Sequence, residues 1–249
     1  WRQLLPVLLF AVCATAMYSM IFQSPFPPFP PERGRHAIAY VGIAALLAGI
    51  TWVSIARSAP RRAMVFGIAL GVAMLFGVVW IVLRNQLKAE GGWAKWSPVV
   101  VASIPLAGVF TWGAWLMARR PGVASAVSLF GIAFGASQVL ILTYHSISEC
   151  IMAASLCAVV GGLVVASLLR PHAALGAAGG GVLAILLSTL LLQGAAFGVS
   201  DMPWRFIAAA AIALAPWTGL GAEAIARRAR VARPWALGAC TVAGTTLPV

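Results

Sequence analysis

The sequence predicts an all-α polytopic membrane protein with about eight transmembrane helices, and three observations lead to this prediction. Apolar runs of about 20 residues recur along the whole chain, which is the length that an α-helix needs to cross a bilayer. Only 9% of the 249 residues are charged and 62% are hydrophobic, whereas a soluble domain carries about 25% charged residues. The basic residues fall in the short loops between the apolar runs.

Most of the predicted helices are apolar runs that end at prolines or at basic residues. The first run is followed by Gln23 to Pro31, whose five prolines forbid a helix and favour an extended polyproline segment. The third is followed by a loop in which Trp93 and Trp96 are typical of interfacial anchors. The later runs are separated by turns such as Arg119 to Gly122. The predicted helices span residues 4–22, 36–56, 63–83, 98–118, 123–144, 150–169, 174–199 and 206–226.

These helices are predicted to form a single domain over residues 1–234. Residues 235–249 are predicted to be a tail or the start of a truncated further segment. A six-residue string repeats in helices 3 and 5, as Phe66-Gly-Ile-Ala-Leu-Gly71 and Phe130-Gly-Ile-Ala-Phe-Gly135. Each copy follows a basic turn that contains a proline. Helices 2–3, 4–5 and 6–7 are therefore interpreted as three repeated out–in–out hairpins, with helices 1 and 8 flanking them. The alternative is that Gly/Ala-rich transmembrane hairpins converge on such strings without being repeats.

Loop charge predicts the orientation of the helices. The N-terminus and the turns after helices 2, 4, 6 and 8 hold 11 of the 17 basic residues. Lys and Arg concentrate in short cytoplasmic loops, so both termini are predicted to be cytoplasmic, in the cell (inner) membrane. The net charge of +12 would suit nucleic acid, but basic residues scattered among short loops form no continuous patch. The lipid bilayer is the expected partner, and no nucleic acid is expected.

Ionisable residues are almost absent from the middle of the predicted helices. Such residues are expensive in a bilayer and mark functional sites. Their absence argues against a proton-driven transporter, an ion pump and a di-haem cytochrome. No nucleotide-binding loop, metalloprotease motif or paired carboxylate pattern occurs, so we do not expect an enzyme.

Side chains that can bind metals are concentrated at the predicted outer ends of the helices. Imidazole, thiol and thioether groups together suit copper, and a histidine can instead ligate haem. If the turn between helices 5 and 6 is helical, Glu149 shares a face with the histidine of that turn. The alternative for each histidine is a hydrogen bond to a loop carbonyl at the interface. The candidate ligands are His145, Cys150, Met152, His36 and Met20.

One segment resembles the repeating hairpin of MHYT-type membrane sensor domains. It runs from Trp96-Ser-Pro98 through an apolar helix to Ala118-Arg-Arg120, and through a Gly/Ala-rich helix to Tyr144-His145. The likeness extends over residues 36–226. It implies a sensor built of repeated hairpins, with a histidine motif at the outer membrane face, a copper site and a role in sensing a diatomic gas. His145 takes the place of the motif histidine, in the order Tyr-His-Ser.

Three functional hypotheses follow. The first is a membrane sensor or signalling input domain with an outward-facing metal or small-ligand site around His145. The second is a non-catalytic accessory subunit of a larger membrane complex, which would dock other membrane subunits through its aromatic loops. The third is a transporter of lipids or small molecules. It is suggested by Gly179 to Gly181, Pro105 and Pro216, which could break helices around a substrate site.

Overall fold

Within the residues that the structure describes, the chain forms eight α-helices and one π-helical turn. The computed structural model describes residues 4–23, 36–58, 60–88, 92–120, 122–143, 145, 147–170, 174–197, 204–228, 239 and 241–243. The helices are α1 (Leu4–Phe22), α2 (Ala37–Ser58), α3 (Pro60–Lys88), α4 (Gly92–Ala118), α5 (Val123–Gln138), α6 (Ile147–Leu169), α7 (Gly176–Phe197) and α8 (Trp204–Arg228).

The predicted fold class is confirmed, because the described helices are long and apolar enough to make a multi-pass membrane protein. Seven of them meet the length and hydropathy of a membrane span. The remaining helix, α3, has 29 residues and contains the apolar run predicted at 63–83. The eight predicted helices correspond one to one with α1–α8. The largest differences lie at the start of α4, which begins at Gly92, and at the end of α5.

The described helices form a ring of seven around a central helix, α7. Around the ring, α1, α2, α3, α4, α8, α5 and α6 each pack on the next, and α6 packs on α1. Helix α7 contacts every member of the ring, and 72% of its spanning segment is buried. The three predicted hairpins do not pack alike. Helices α2 and α3 pack extensively, whereas the closest neighbours of α4 and α6 are α7 and α5.

Contacts between helix ends show which ends lie together. Trp52 near the end of α2 packs against Trp115 near the end of α4. Arg120, just after α4, pairs with Glu223 near the end of α8. The start of α7 lies beside the end of α4, at Ala118. We call this side of the bundle the basic end. We call the opposite side, where α2 and α6 begin, the histidine end.

Most hydroxyl groups inside the described helices satisfy their hydrogen bonds locally, as an apolar environment requires, and the exception is the buried hydroxyl of Ser128 in α5, which has no hydrogen-bond partner. The hydroxyls of Thr15, Thr51 and Thr111 each donate to the carbonyl four residues earlier in the same helix. The buried hydroxyl of Thr189 in α7 does the same with Ile185, at 2.8 Å. These threonine side chains therefore place no uncompensated polar group in lipid.

Several predicted segments fall outside the described residues. The polyproline segment within 24–35 and the residues 171–173 after α6 belong to this group. Of the predicted tail at 235–249, residues 239 and 241–243 are described, and they are helical.

The contact of α7 with α4 gives a test with a matched control. A Cβ added at Gly180 would lie 2.3 Å from the Cβ of Ala118 and 2.8 Å from the carbonyl oxygen of Ala114, whereas one added at Gly181 meets nothing within 4 Å. Gly180→Ala is expected to lower the free energy of unfolding by about 1–3 kcal/mol through overpacking. Gly181→Ala is expected to leave it unchanged or raise it by up to about 1 kcal/mol, because alanine favours a helix. Thermal unfolding in detergent measures both, and equal stability of the two variants would contradict this packing.

Candidate functional site at the histidine end

The last turn of α5 changes into a π-helix before the chain leaves the membrane. Val139–Thr143 forms this turn directly after Gln138. A π-helix has a wider hydrogen-bonding pattern than an α-helix, is rare, and is frequently found at functional sites. This turn packs against α6, α7 and α8 as well as α5. A change in its conformation would therefore alter its contacts with three neighbouring helices.

His145 follows the π-helix in a left-handed backbone conformation. Its φ is 53°, which for a residue other than glycine costs about 1–2 kcal/mol. Backbone strain of this kind clusters at binding and catalytic sites. The side chain is exposed, so a ligand can reach the imidazole. The turn at His145 is not helical, so the proposed shared helical face with Glu149 is not formed.

The first turn of α6 places a carboxylate inside the bundle. Glu149 is only 8% exposed, and it accepts a hydrogen bond of 2.6 Å from the hydroxyl of Ser148. A carboxylate is favoured at the positive end of a helix dipole. Met152 is buried on the same face of α6, three residues on, and Cys150 is half-buried with a free thiol. We refer to His145, Glu149, Cys150 and Met152 as the α5–α6 group.

The other predicted ligands belong to a second group, on α1 and α2. His36 is 7% exposed, and its ring lies edge-on to Tyr18 of α1, with the ring centroids 6.3 Å apart. Tyr18 packs in turn on Phe22, at 4.9 Å between centroids. Met20 is 70% exposed on the surface of α1. We refer to His36 and Met20 as the α1–α2 group.

His36 is separated from the α5–α6 group by α1, the helix that carries Met20. This helix packs on both α2 and α6, whereas α2 makes no extended contact with α6 among the described residues. Among the residues that the structure describes, no group of three or more His, Cys, Asp or Glu residues is arranged to hold a metal ion. A metal bound by the α5–α6 group would therefore draw on the thioether of Met152 as well as on His145 and Cys150. The metal site stays a prediction.

Sequence reasoning missed a polar network at the basic end. Glu223 of α8 is 8% exposed and accepts a hydrogen bond from the guanidinium of Arg120. The hydroxyl of Thr241 also donates to this carboxylate, at 3.3 Å. One signal was present in the sequence. Glu223 is the single acidic residue of an otherwise apolar run, and a lone acid in such a run is expected to pair with a basic residue.

The features that suggested a transporter are not found in the described helices. Helix α7 continues unbroken through Gly179 to Gly181, and α4 and α8 continue through Pro105 and Pro216. A small cavity between α3, α4 and α7 has a volume of about 30 Å³, which is room for about two water molecules. Its lining residues are Val78, Val79, Ser103, Ala107, Ser188 and Leu192.

Comparison of the chain with protein-family models, with curated proteins and with solved structures gave no match. Any functional conclusion therefore rests on the residues and their arrangement.

The left-handed backbone of His145 can be tested apart from its imidazole. Asparagine tolerates this conformation, whereas a β-branched residue does not. His145→Asn is expected to keep the free energy of unfolding within about 0.5 kcal/mol of the parent, and His145→Val to lower it by about 1–2 kcal/mol. Thermal unfolding in detergent compares the two variants. If valine were tolerated as well as asparagine, this residue would not be strained.

Proposed function

We propose that this multi-pass membrane protein is a sensor, or signalling input domain, whose ligand site is the α5–α6 group. One observation supports this most strongly. A π-helix is followed two residues later by the left-handed, exposed His145, and the next helix begins with the buried carboxylate of Glu149. Rare backbone conformations and a buried charge thus occur together in one turn. The resemblance of the preceding hairpin to MHYT-type sensor domains favours the same function.

The donor atoms of this group favour copper as the ligand. His145 offers an accessible imidazole, Cys150 a half-buried thiol and Met152 a thioether, and soft sulfur donors select Cu(I). The carboxylate of Glu149 adds negative charge close to these donors, which favours a bound cation. Haem, with His145 as its ligand, is the alternative cofactor. His36 and Met20 complete the predicted set of ligands, and they require a separate test because they lie at α2 and α1 and not in the turn between α5 and α6.

The π-helix provides a route by which ligand binding would change the packing of other helices in the bundle. A sensor needs an element with two arrangements whose equilibrium the ligand biases. Conversion of Val139–Thr143 from π-helix to α-helix would rotate the residues that follow it, His145 included. The π-helix also packs against α8, so the same conversion would change the packing of α8. Helix α8 ends at the basic end, which the positive-inside rule predicts to be cytoplasmic.

The first experiment is purification from native membranes in mild detergent, with metal and pigment analysis of the same sample. We expect copper in stoichiometric amount in the parent chain. His145→Asn and Cys150→Ser are expected to lose it, because each removes a donor from the α5–α6 group. His36→Asn and Met20→Leu are the matched controls and are expected to retain it, because they change only the α1–α2 group.

Two results would contradict the proposal. Retention of copper by His145→Asn, with loss in His36→Asn, would move the site to the α1–α2 group. Several co-purifying subunits, with neither copper nor haem on this chain, would favour the accessory-subunit hypothesis instead. If the parent chain instead shows a haem absorption band and His145→Asn abolishes it, the site stays as proposed and its cofactor is haem.

A further inference from the structure

The basic end carries an arginine whose guanidinium lies over an aromatic platform. The guanidinium of Arg119 lies 4.6 Å from the centre of the Trp115 ring. Trp115 packs edge-on against Trp52 of α2, with 6.4 Å between ring centroids and an angle of 86° between the planes. The platform therefore bridges α4 and α2. A stacked guanidinium uses its face for the aromatic ring and leaves the N–H groups of its edge available.

The neighbouring arginine behaves differently. The guanidinium of Arg120 is engaged by the carboxylate of Glu223. Arg119 is exposed and has no carboxylate partner among the described residues. The backbone N–H groups of both arginines donate to carbonyls in the last turn of α4, at 3.3 Å and 3.1 Å. The helix end thus positions the backbone of two adjacent arginines, and within the described residues one neutralises Glu223 while the other has no carboxylate partner.

We propose that Arg119 binds the phosphate of an anionic phospholipid headgroup. Tryptophan rings at the end of a membrane helix lie at the level of the headgroups, so the platform of Trp52 and Trp115 places the guanidinium edge at phosphate depth. Arginine binds phosphate through paired, charge-assisted hydrogen bonds. Basic side chains close to the membrane surface attract anionic lipids.

The surroundings of the platform favour a lipid over a free phosphate ion. Trp112 and Val109 of α4 are exposed and lie two to three turns before Arg119 on the same side of that helix, towards the middle of the bilayer. They offer an apolar surface along which an acyl chain can pack. A soluble anion would gain nothing from this surface, whereas a lipid contacts it and Arg119 at the same time.

The test uses the full chain, purified in a neutral detergent and titrated with phosphatidylglycerol or phosphatidylcholine, with bound lipid counted by native mass spectrometry. Arg119→Gln is expected to weaken phosphatidylglycerol binding about tenfold. The matched control is Arg170→Gln, which removes the same charge from an exposed position after α6 at the same end of the bundle. It is expected to weaken binding less than about twofold. Arg119→Lys is expected to fall between them, because lysine keeps the charge but loses the stacked, two-pronged geometry.

Three results would overturn the proposal. Equal losses in Arg119→Gln and Arg170→Gln would reduce the effect to general charge. Equal binding of phosphatidylglycerol and phosphatidylcholine by the parent chain would remove the preference for an anionic lipid. Displacement of phosphatidylglycerol by inorganic phosphate at a similar concentration would assign Arg119 to a soluble anion.

Discussion

Helices in a bilayer gain little from burying apolar side chains against one another, because lipid tails are as apolar as leucine. Association then depends on close van der Waals contact, and close contact requires small residues. The central helix α7 meets this constraint where Gly180 lies against Ala114 and Ala118 of α4. The ring around α7 requires such close approaches. A similar contact joins α4 to α8, where Gly113 lies against Pro216 and Trp217.

Because the centre of the bundle is closely packed and apolar, its charged groups lie at the two ends. At the histidine end, the turn between α5 and α6 contains a π-helix, a left-handed histidine and a buried carboxylate. At the basic end, arginines close the helices, and one of them neutralises Glu223. Between the ends, most described hydroxyls bond back to their own helices, as Thr189 does, and the buried hydroxyl of Ser128 has no partner. Helix α8 connects the two ends, because it packs on the π-helix near its start and carries Glu223 near its finish.

The positions of the helices could be predicted, because hydropathy acts locally. The start and end of α1 were predicted without error, and each of the other helices was found within a few residues. The central place of α7 was not predicted, because the sequence does not state which apolar faces meet when every helix is apolar all round. The π-helix at Val139–Thr143 and the positive φ of His145 arise from tertiary packing. The pairing of Arg120 with Glu223 joins residues 103 positions apart.

The strain at His145 sets the scale of the proposed switch. A left-handed residue costs about 1–2 kcal/mol, which corresponds to about a 5- to 30-fold change in an equilibrium constant. A full switch from 1:99 to 99:1 needs about 5.5 kcal/mol of differential binding. Release of this strain alone would give a graded response. A larger response requires that the ligand also change the packing of the π-helix on α6 and α8.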